Sequence, residues 1–355
     1  MGKDKKLEEK LEEEISKLEQ KAEELLKNRK KNLQLLEKNL SELEKVITEI
    51  KNYQELQKEF LSNPIYRQVI EEIKYFLREI SPVTIFKIMA GLGNSGQAEV
   101  DEFGKDEEFV EKIQPFIDFL YDRYWRVEVE GVENIPYEGP GILVANHAGV
   151  LPFDSFMITE AVKRNHPFGR MPRFLIEEWF LTRPFIGVAL QRYGIARGSQ
   201  DNALRLLKKG ELIGLFPEGM KGIFKIYSDR YKLQRFGRGG AIRVAIKGKA
   251  PIIPVAVVGS EEIYPVITHW DFVARILGLP FFPVTPTFPF LGLAGLIPLP
   301  SKWIIRFGEP IPLNELPPET VENEIIINTL NEELRSTIQE MLLDILKNRR
   351  TIFFG

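Results

Sequence analysis

The 355-residue chain contains no cysteine. This excludes disulfides, thiolate nucleophiles and Cys-ligated zinc or iron–sulfur sites, leaves stability to packing, and fits a reducing compartment. Histidine is nearly as scarce. Only His147, His166 and His269 occur, so candidates for an imidazole base can be weighed one at a time. The first 30 residues are rich in Lys and Glu rather than basic, then apolar, then small. That is not the layout of a secretory signal and predicts a protein that stays on the side of its synthesis. A large charge excess is also missing, the formal net charge being −3. The near-balance hides a basic middle, however. Residues 139–308 carry net +11, against −6 for 1–125, −3 for 126–138 and −5 for 309–355. Clustered positive charge attracts phosphates, anionic cofactors or an anionic membrane surface. No recognisable nucleic-acid module is interleaved with it, so no nucleic-acid partner is expected.

Only residues 276–301 (ILGLPFFPVTPTFPFLGLAGLIPLPS) form an uncharged run long enough to span a bilayer. Six prolines within it (280, 283, 286, 289, 298 and 300) each remove a backbone donor. A lipid-exposed segment must satisfy its backbone internally, so the run reads as an apolar loop, either packed on the core or dipping into lipid. What is abundant is ordinary: 44 % hydrophobic and 28 % charged residues, enough for a sizeable core.

Apolar residues at three–four spacing run through residues 7–50, as Leu11, Ile15, Leu18, Ala22 and Leu25, then Leu33, Leu36, Leu40, Leu43, Ile47 and Ile50. This is a coiled-coil pattern with a phase slip at KNRKKN, consistent with one long helix or a helical hairpin over 1–60. Its narrow apolar stripe makes homo-oligomerisation the first expectation. Residues 61–124 read as a helical linker region. From Trp125 to about 310, strand-like runs (VEVE, GILVANH, PRFLI, ALQRYGIA, ELIGLFPEG, PIIPVAVVG and WIIRF) alternate with helical patterns. The order predicts an α/β domain with a mostly parallel sheet flanked by helices. Residues 311–355 supply a terminal helical segment.

Chemistry concentrates where strand-like runs end. His147 follows GILVAN, and Asp154 comes seven positions later, near a helix start. A carboxylate accepting from one ring nitrogen fixes the tautomer and leaves the other free to deprotonate a hydroxyl, whereas the bland alternative is a structural histidine beside a helix-start acid. Arg197, after a second run, suits a bidentate phosphate clamp or a surface ion pair. In LFPEGMKG the turn places Glu218, Gly219, backbone N–H groups and Lys221 near whatever binds. Glu218 could accept from a substrate hydroxyl or pair with a neighbour and hold the loop.

In this order N-H…D, G-x-x-R, F-P-E-G and a proline-bracketed apolar strand resemble the four blocks of the glycerolipid (lysophospholipid) acyltransferase superfamily, over about residues 126–310. The stretches FLYDRYWRVEVEGVENIP, RYKLQRFGRGG, GSEEIYPV and FPVTPTFPF are similar to a bacterial branch of it. The resemblance implies that His147 is the general base and Asp154 its orienter. It puts Arg197 on the acceptor's phosphate and Glu218 with Gly219 at the acceptor, and the acyl thioester reacts without a covalent enzyme intermediate; Asn146 and Lys221, beside these residues in the chain, are expected at the substrate as well. It also implies acyl-CoA or acyl carrier protein as co-substrate, no metal or further cofactor, membrane lipids as partners, and a peripheral location on the cytoplasmic membrane face. A hydrolase using the same base on water, or a non-catalytic lipid-binding scaffold, are the alternatives. One departure stands out. The family spacing is H-x4-D, but here it is H-x6-D, so Gly149-Val150 must loop out for the two side chains to meet.

Overall fold

The computed structural model describes residues 100–148, 151–183 and 186–353, together with the single positions Glu71 and Lys74. The expected coiled coil over 7–50 and most of the 61–124 region lie outside the described residues.

Chain order runs α1 (Glu107–Asp118), a π-helical turn (Phe119–Tyr124), β1 (Glu128–Glu130), β2 (Gly141–Ala145), α2 (Phe153–Asn165), β3 (Arg173–Ile176), α3 (Glu178–Leu181) and α4 (Ile186–Tyr193). It continues through β4 (Ala196–Arg197), α5 (Gln200–Lys208), β5 (Leu212–Leu215), α6 (Met220–Ile223), α7 (Gly240–Gly248), β6 (Ile252–Val258) and β7 (Thr268–His269). The last elements are α8 (Asp271–Leu277), β8 (Pro283–Val284), β9 (Ile304–Phe307) and α9 (Glu324–Asn348).

Seven strands form one sheet in the order β1-β9-β6-β2-β5-β3-β4. Every pairing is parallel except β6 with β9. Period-two alternation splits the central strands between two cores. Leu143, Ala145, Phe174, Ile176, Ile253, Val255 and Val257 face the side covered by α1 and α2. Ile142, Val144, Leu175, Ile213, Ile252, Ala256 and Val258 face α5, α7 and α9. Cover on both faces is why β2 and β6 are wholly apolar and buried. Trp125, just before β1, stacks on Trp303, just before β9, with centroids 4.7 Å apart.

ALQRYGIA is not mainly a strand. Its first five residues end α4, where Ala189, Leu190 and Tyr193 bury one face at helical spacing, and only Ala196–Arg197 pairs with β3. Residues 276–301 are neither uniformly buried nor uniformly exposed. Phe281, Pro283, Val284 and Thr285 are buried around β8, while Ile276, Leu277 and Leu291 are each more than half exposed. No helix among the described residues is long and apolar enough to cross a membrane.

The sheet also fixes where a site can form. β2 lies between β5 and β6, and the chain leaves it first toward β3, β4 and β5 on one side and later toward β6 on the other. Such a reversal opens a crevice at the C-terminal ends of the parallel strands.

Candidate active site

His147 enters that crevice two residues after β2, and its position is set from three directions. The preceding Asn146 turns its amide to the next strand: Nδ2 donates to the Val257 carbonyl (3.0 Å), and Oδ1 accepts from Val257 N–H (2.8 Å). Asn146 therefore extends the β2–β6 ladder with its side chain. It is fully buried there and does not line the pocket, contrary to its expected place at the substrate.

Asp154 holds the ring. Its Oδ2 lies 2.6 Å from His147 Nδ1 and accepts the Ala148 N–H at 3.2 Å, while Oδ1 accepts the Ser155 N–H at 2.9 Å. Residues 149 and 150 lie outside the described residues, but Pro152 caps α2 and makes Asp154 its second residue. The carboxylate thereby points back at the end of β2, and the longer H-x6-D spacing closes. The carboxylate accepts this bond when Nδ1 carries the ring proton, the tautomer that leaves the Nε2 lone pair free. The imidazole stacks flat on Phe216 (4.2 Å, 10°), which stacks in turn on Phe174 (5.0 Å).

Glu218 holds the main chain of His147. Its Oε1 accepts the His147 N–H at 3.0 Å, and its Oε2 accepts the Gln234 N–H at 2.7 Å and faces Lys225 Nζ at 3.2 Å. Of the two roles left open for it, the geometry is that of the loop-holder, with the carboxylate filled by donors of the protein. Gly219 does line the pocket, with φ 55° and ψ −143°, a conformation essentially restricted to glycine. Gly222 is a residue the motif reading missed. A Cβ there would stand 3.0 Å from both the Glu218 and His147 Cβ atoms, so its bareness lets α6 press against the loop.

The pocket beside His147 has a volume of about 120 Å³ and is walled by residues that follow β3, β4 and β5. Ile176, Phe180, Phe216, Met220 and Ile223 make it apolar, while His147 and Glu177 are its ionisable members. Arg197 is not part of this wall. Its side chain is 59 % exposed and pairs with Glu178 at 2.9 Å, a surface contact worth about 0–1 kcal/mol. Gly198 takes its place at the pocket, tight against the Ile176 carbonyl. Lys221 is exposed on α6. The structure thus brings His147, Asp154, Glu218 and Gly219 together, leaves Arg197 and Lys221 at the surface, and turns Asn146 into the sheet.

This arrangement can take a proton from a hydroxyl in an apolar cleft. The family model described as Acyltransferase matches residues 126–258. An uncharacterised protein of Mycobacterium tuberculosis (strain H37Rv) is 42 % identical over 318 residues, covering 83 % of this chain and 89 % of that one. The Bos taurus DGAT1/2-independent enzyme synthesizing storage lipids is 24 % identical over 234 residues, 63 % of this chain and 66 % of its own. Among solved structures, the 1-acyl-sn-glycerophosphate (LPA) acyltransferase PlsC of Thermotoga maritima aligns with a TM-score of 0.46 at 18 % identity, covering 78 % of this chain and 98 % of that one.

Proposed function

Because the chain belongs to the glycerolipid acyltransferase superfamily, we propose that it moves a fatty acyl group from a thioester to the hydroxyl of a lysophospholipid or glycerolipid acceptor, with His147 as general base. The observation that carries this reading is the 2.6 Å His147–Asp154 contact at the edge of an apolar pocket. In the proposed step Nε2 removes the acceptor's hydroxyl proton as the oxygen attacks the thioester carbonyl carbon. In this reading the Met220 N–H at the start of α6 meets the developing oxyanion, since the Gly219 N–H already donates to the Phe216 carbonyl at 3.0 Å. The C–S bond then breaks, and the thiolate leaves with the proton held on Nε2, so no acyl-enzyme forms. The donor is acyl-CoA or acyl carrier protein, both anionic, and the net +11 of residues 139–308 suits either. Arg197 and Lys221 meet the anionic parts of the substrates from the rim.

We further propose a peripheral position on the cytoplasmic face of the membrane, and the apolar surface beside α6 supports the membrane contact. Phe224 packs on Phe281 with the rings tilted at 58° and their centroids 4.7 Å apart, joining the site to the segment that carries exposed Phe272, Ile276, Leu277 and Leu291. A cluster of this kind meets an apolar acceptor where it lies.

The test supplies radiolabelled acyl-CoA, then acyl carrier protein, with a panel of lysophospholipids and mono- and diacylglycerol. Wild type is expected to place label in the acceptor lipid and His147→Ala to lose this while keeping its fold. Free fatty acid as the main product despite acceptor, or transfer that survives the loss of His147, overturns the reading.

A further inference from the structure

Three ionisable side chains lie buried behind the His147 loop with no part in the transfer chemistry. Lys225 Nζ is 2.9 Å from Glu261 Oε1 and 3.2 Å from Glu218 Oε2, and the three side chains are 5 %, 4 % and 0 % exposed. They come from separate places: Glu218 from the β5–α6 turn, Lys225 from just after α6, and Glu261 from the 3₁₀ turn Ser260–Glu262 that follows β6. The remaining carboxylate contacts are to main-chain donors. Glu261 Oε2 accepts the Tyr231 N–H at 2.9 Å, Glu218 Oε2 the Gln234 N–H at 2.7 Å, and Glu218 Oε1 the His147 N–H at 3.0 Å. A continuous polar chain therefore runs from the 231–234 loop through Glu261, Lys225 and Glu218 to the peptide of His147.

Burying ions is costly, and apolar replacements of buried ion pairs are often neutral or stabilising, so stability alone does not account for the cluster. Burial raises the Glu261 carboxyl above its usual range. Burial alone would lower the Lys225 ammonium, but Glu261 and Glu218 outweigh it and hold it above the ordinary value.

We propose that Lys225 and Glu261 are positioning residues for His147, the ammonium holding Glu218 in the one orientation that anchors the His147 main-chain N–H. This rests on reading His147 as the base. Without Lys225, two carboxylates face each other in a dry site, and one takes up a proton. The new O–H donates to the other carboxylate and draws Glu218 off the His147 peptide. Arginine keeps the charge and bridges two carboxylates, and a void of about 20 Å³ bounded by Lys225, Glu261, Gly222 and Ala148 gives it room.

The test uses the full chain with Lys225→Met, Lys225→Arg and the double variant Lys225→Met/Glu261→Gln. Each is measured for transfer kinetics per folded molecule and for hydrogen exchange at the His147 amide against amides of β2 and β6. Lys225→Met is expected to lower kcat about 30-fold or more with KM changed less than about twofold. Its His147 amide should exchange about tenfold faster while the strand amides keep their protection. Lys225→Arg should recover kcat to within about fivefold of wild type. The double variant, free of like-charge repulsion, should regain His147 protection and carries the test if Lys225→Met does not fold. Unchanged His147 protection in Lys225→Met with kcat within about threefold of wild type overturns the proposal, as does a double variant whose His147 amide exchanges about tenfold faster than wild type. If wild type transfers no acyl group, the base assignment fails, while amide exchange still decides whether Lys225 anchors the His147 peptide.

Discussion

Replacing Asp154 by Asn removes one charge with almost no change in volume, and the structure specifies what is lost. Three N–H groups converge on this carboxylate: His147 Nδ1 at 2.6 Å and Ala148 N at 3.2 Å on Oδ2, and Ser155 N at 2.9 Å on Oδ1. An asparagine accepts on one atom only. With its carbonyl toward His147 and Ala148, its NH₂ opposes the Ser155 N–H and leaves a buried donor unpaired, costing about 1–3 kcal/mol. Turned the other way, the NH₂ donates to Nδ1 and moves the ring proton to Nε2, where it blocks proton abstraction. In either orientation the imidazolium of the transition state loses its charged partner. General-base assistance contributes about 10²–10⁴ in rate, so kcat should fall by that factor, about 3–5 kcal/mol of barrier. The melting temperature should drop about 2–4 °C per kcal/mol lost. Initial rates of acyl transfer at saturating donor, corrected for folded fraction, measure the first, and a thermal melt measures the second. His147→Ala sets the scale, and His147→Ala/Asp154→Asn should be no slower than the worse single variant, because the two residues act as one unit. Asp154→Asn within about threefold of wild-type kcat refutes the dyad.

Two further outcomes follow from buried histidines and exposed apolar residues. His166 and His269 are both held below the ordinary imidazole value, by burial in each case, with Arg170 adding to it at His166. The folded state thus binds their protons less well than the unfolded chain. The associated stability is fully present above about pH 6.5 and is lost as pH falls through 6.5 toward the folded values. Urea midpoints should accordingly fall between pH 7.5 and 5.5, less steeply in His166→Gln, and a midpoint that rises on acidification contradicts the assignment. Phe272→Asp/Ile276→Asp alters side chains 58 % and 67 % exposed on α8. It should leave the melting temperature within about 1–2 °C of wild type, since surface changes are typically worth less than about 0.5 kcal/mol, and should reduce flotation with anionic vesicles. Undiminished flotation removes this face from the membrane contact.

Legibility in the sequence follows how local the determining physics is. The runs Gly141–Ala145 and Ile252–Val258 declare themselves as strands because a doubly covered strand needs no polar positions. The run 189–196 misleads because Ala189, Leu190 and Tyr193 show helical spacing only when extended back to Ile186. At the site, His147 and Asp154 stand out by residue type and place, but Asn146 and Glu218 do not reveal which way they point. A motif records adjacency along the chain. Whether an amide beside a histidine faces ligand or the neighbouring strand depends on Val257, and Lys225 meets Glu261 from 36 residues away.

The same contacts explain how an altered spacing is compatible with a formed site. His147 is held at both ends, its ring by Asp154 and its peptide N–H by Glu218, while Asn146 locks the preceding residue to β6. None of these three anchors passes through Gly149 or Val150. Asp154 takes its direction from α2, whose start is fixed by Pro152 and whose first turn is bonded to the Pro152 carbonyl through Ser155 Oγ at 2.6 Å. The connection between Ala148 and Leu151 therefore has only to span the distance between two independently fixed ends, and each added residue costs it little in loop entropy. The number of residues between the histidine and the aspartate can change while the 2.6 Å contact does not.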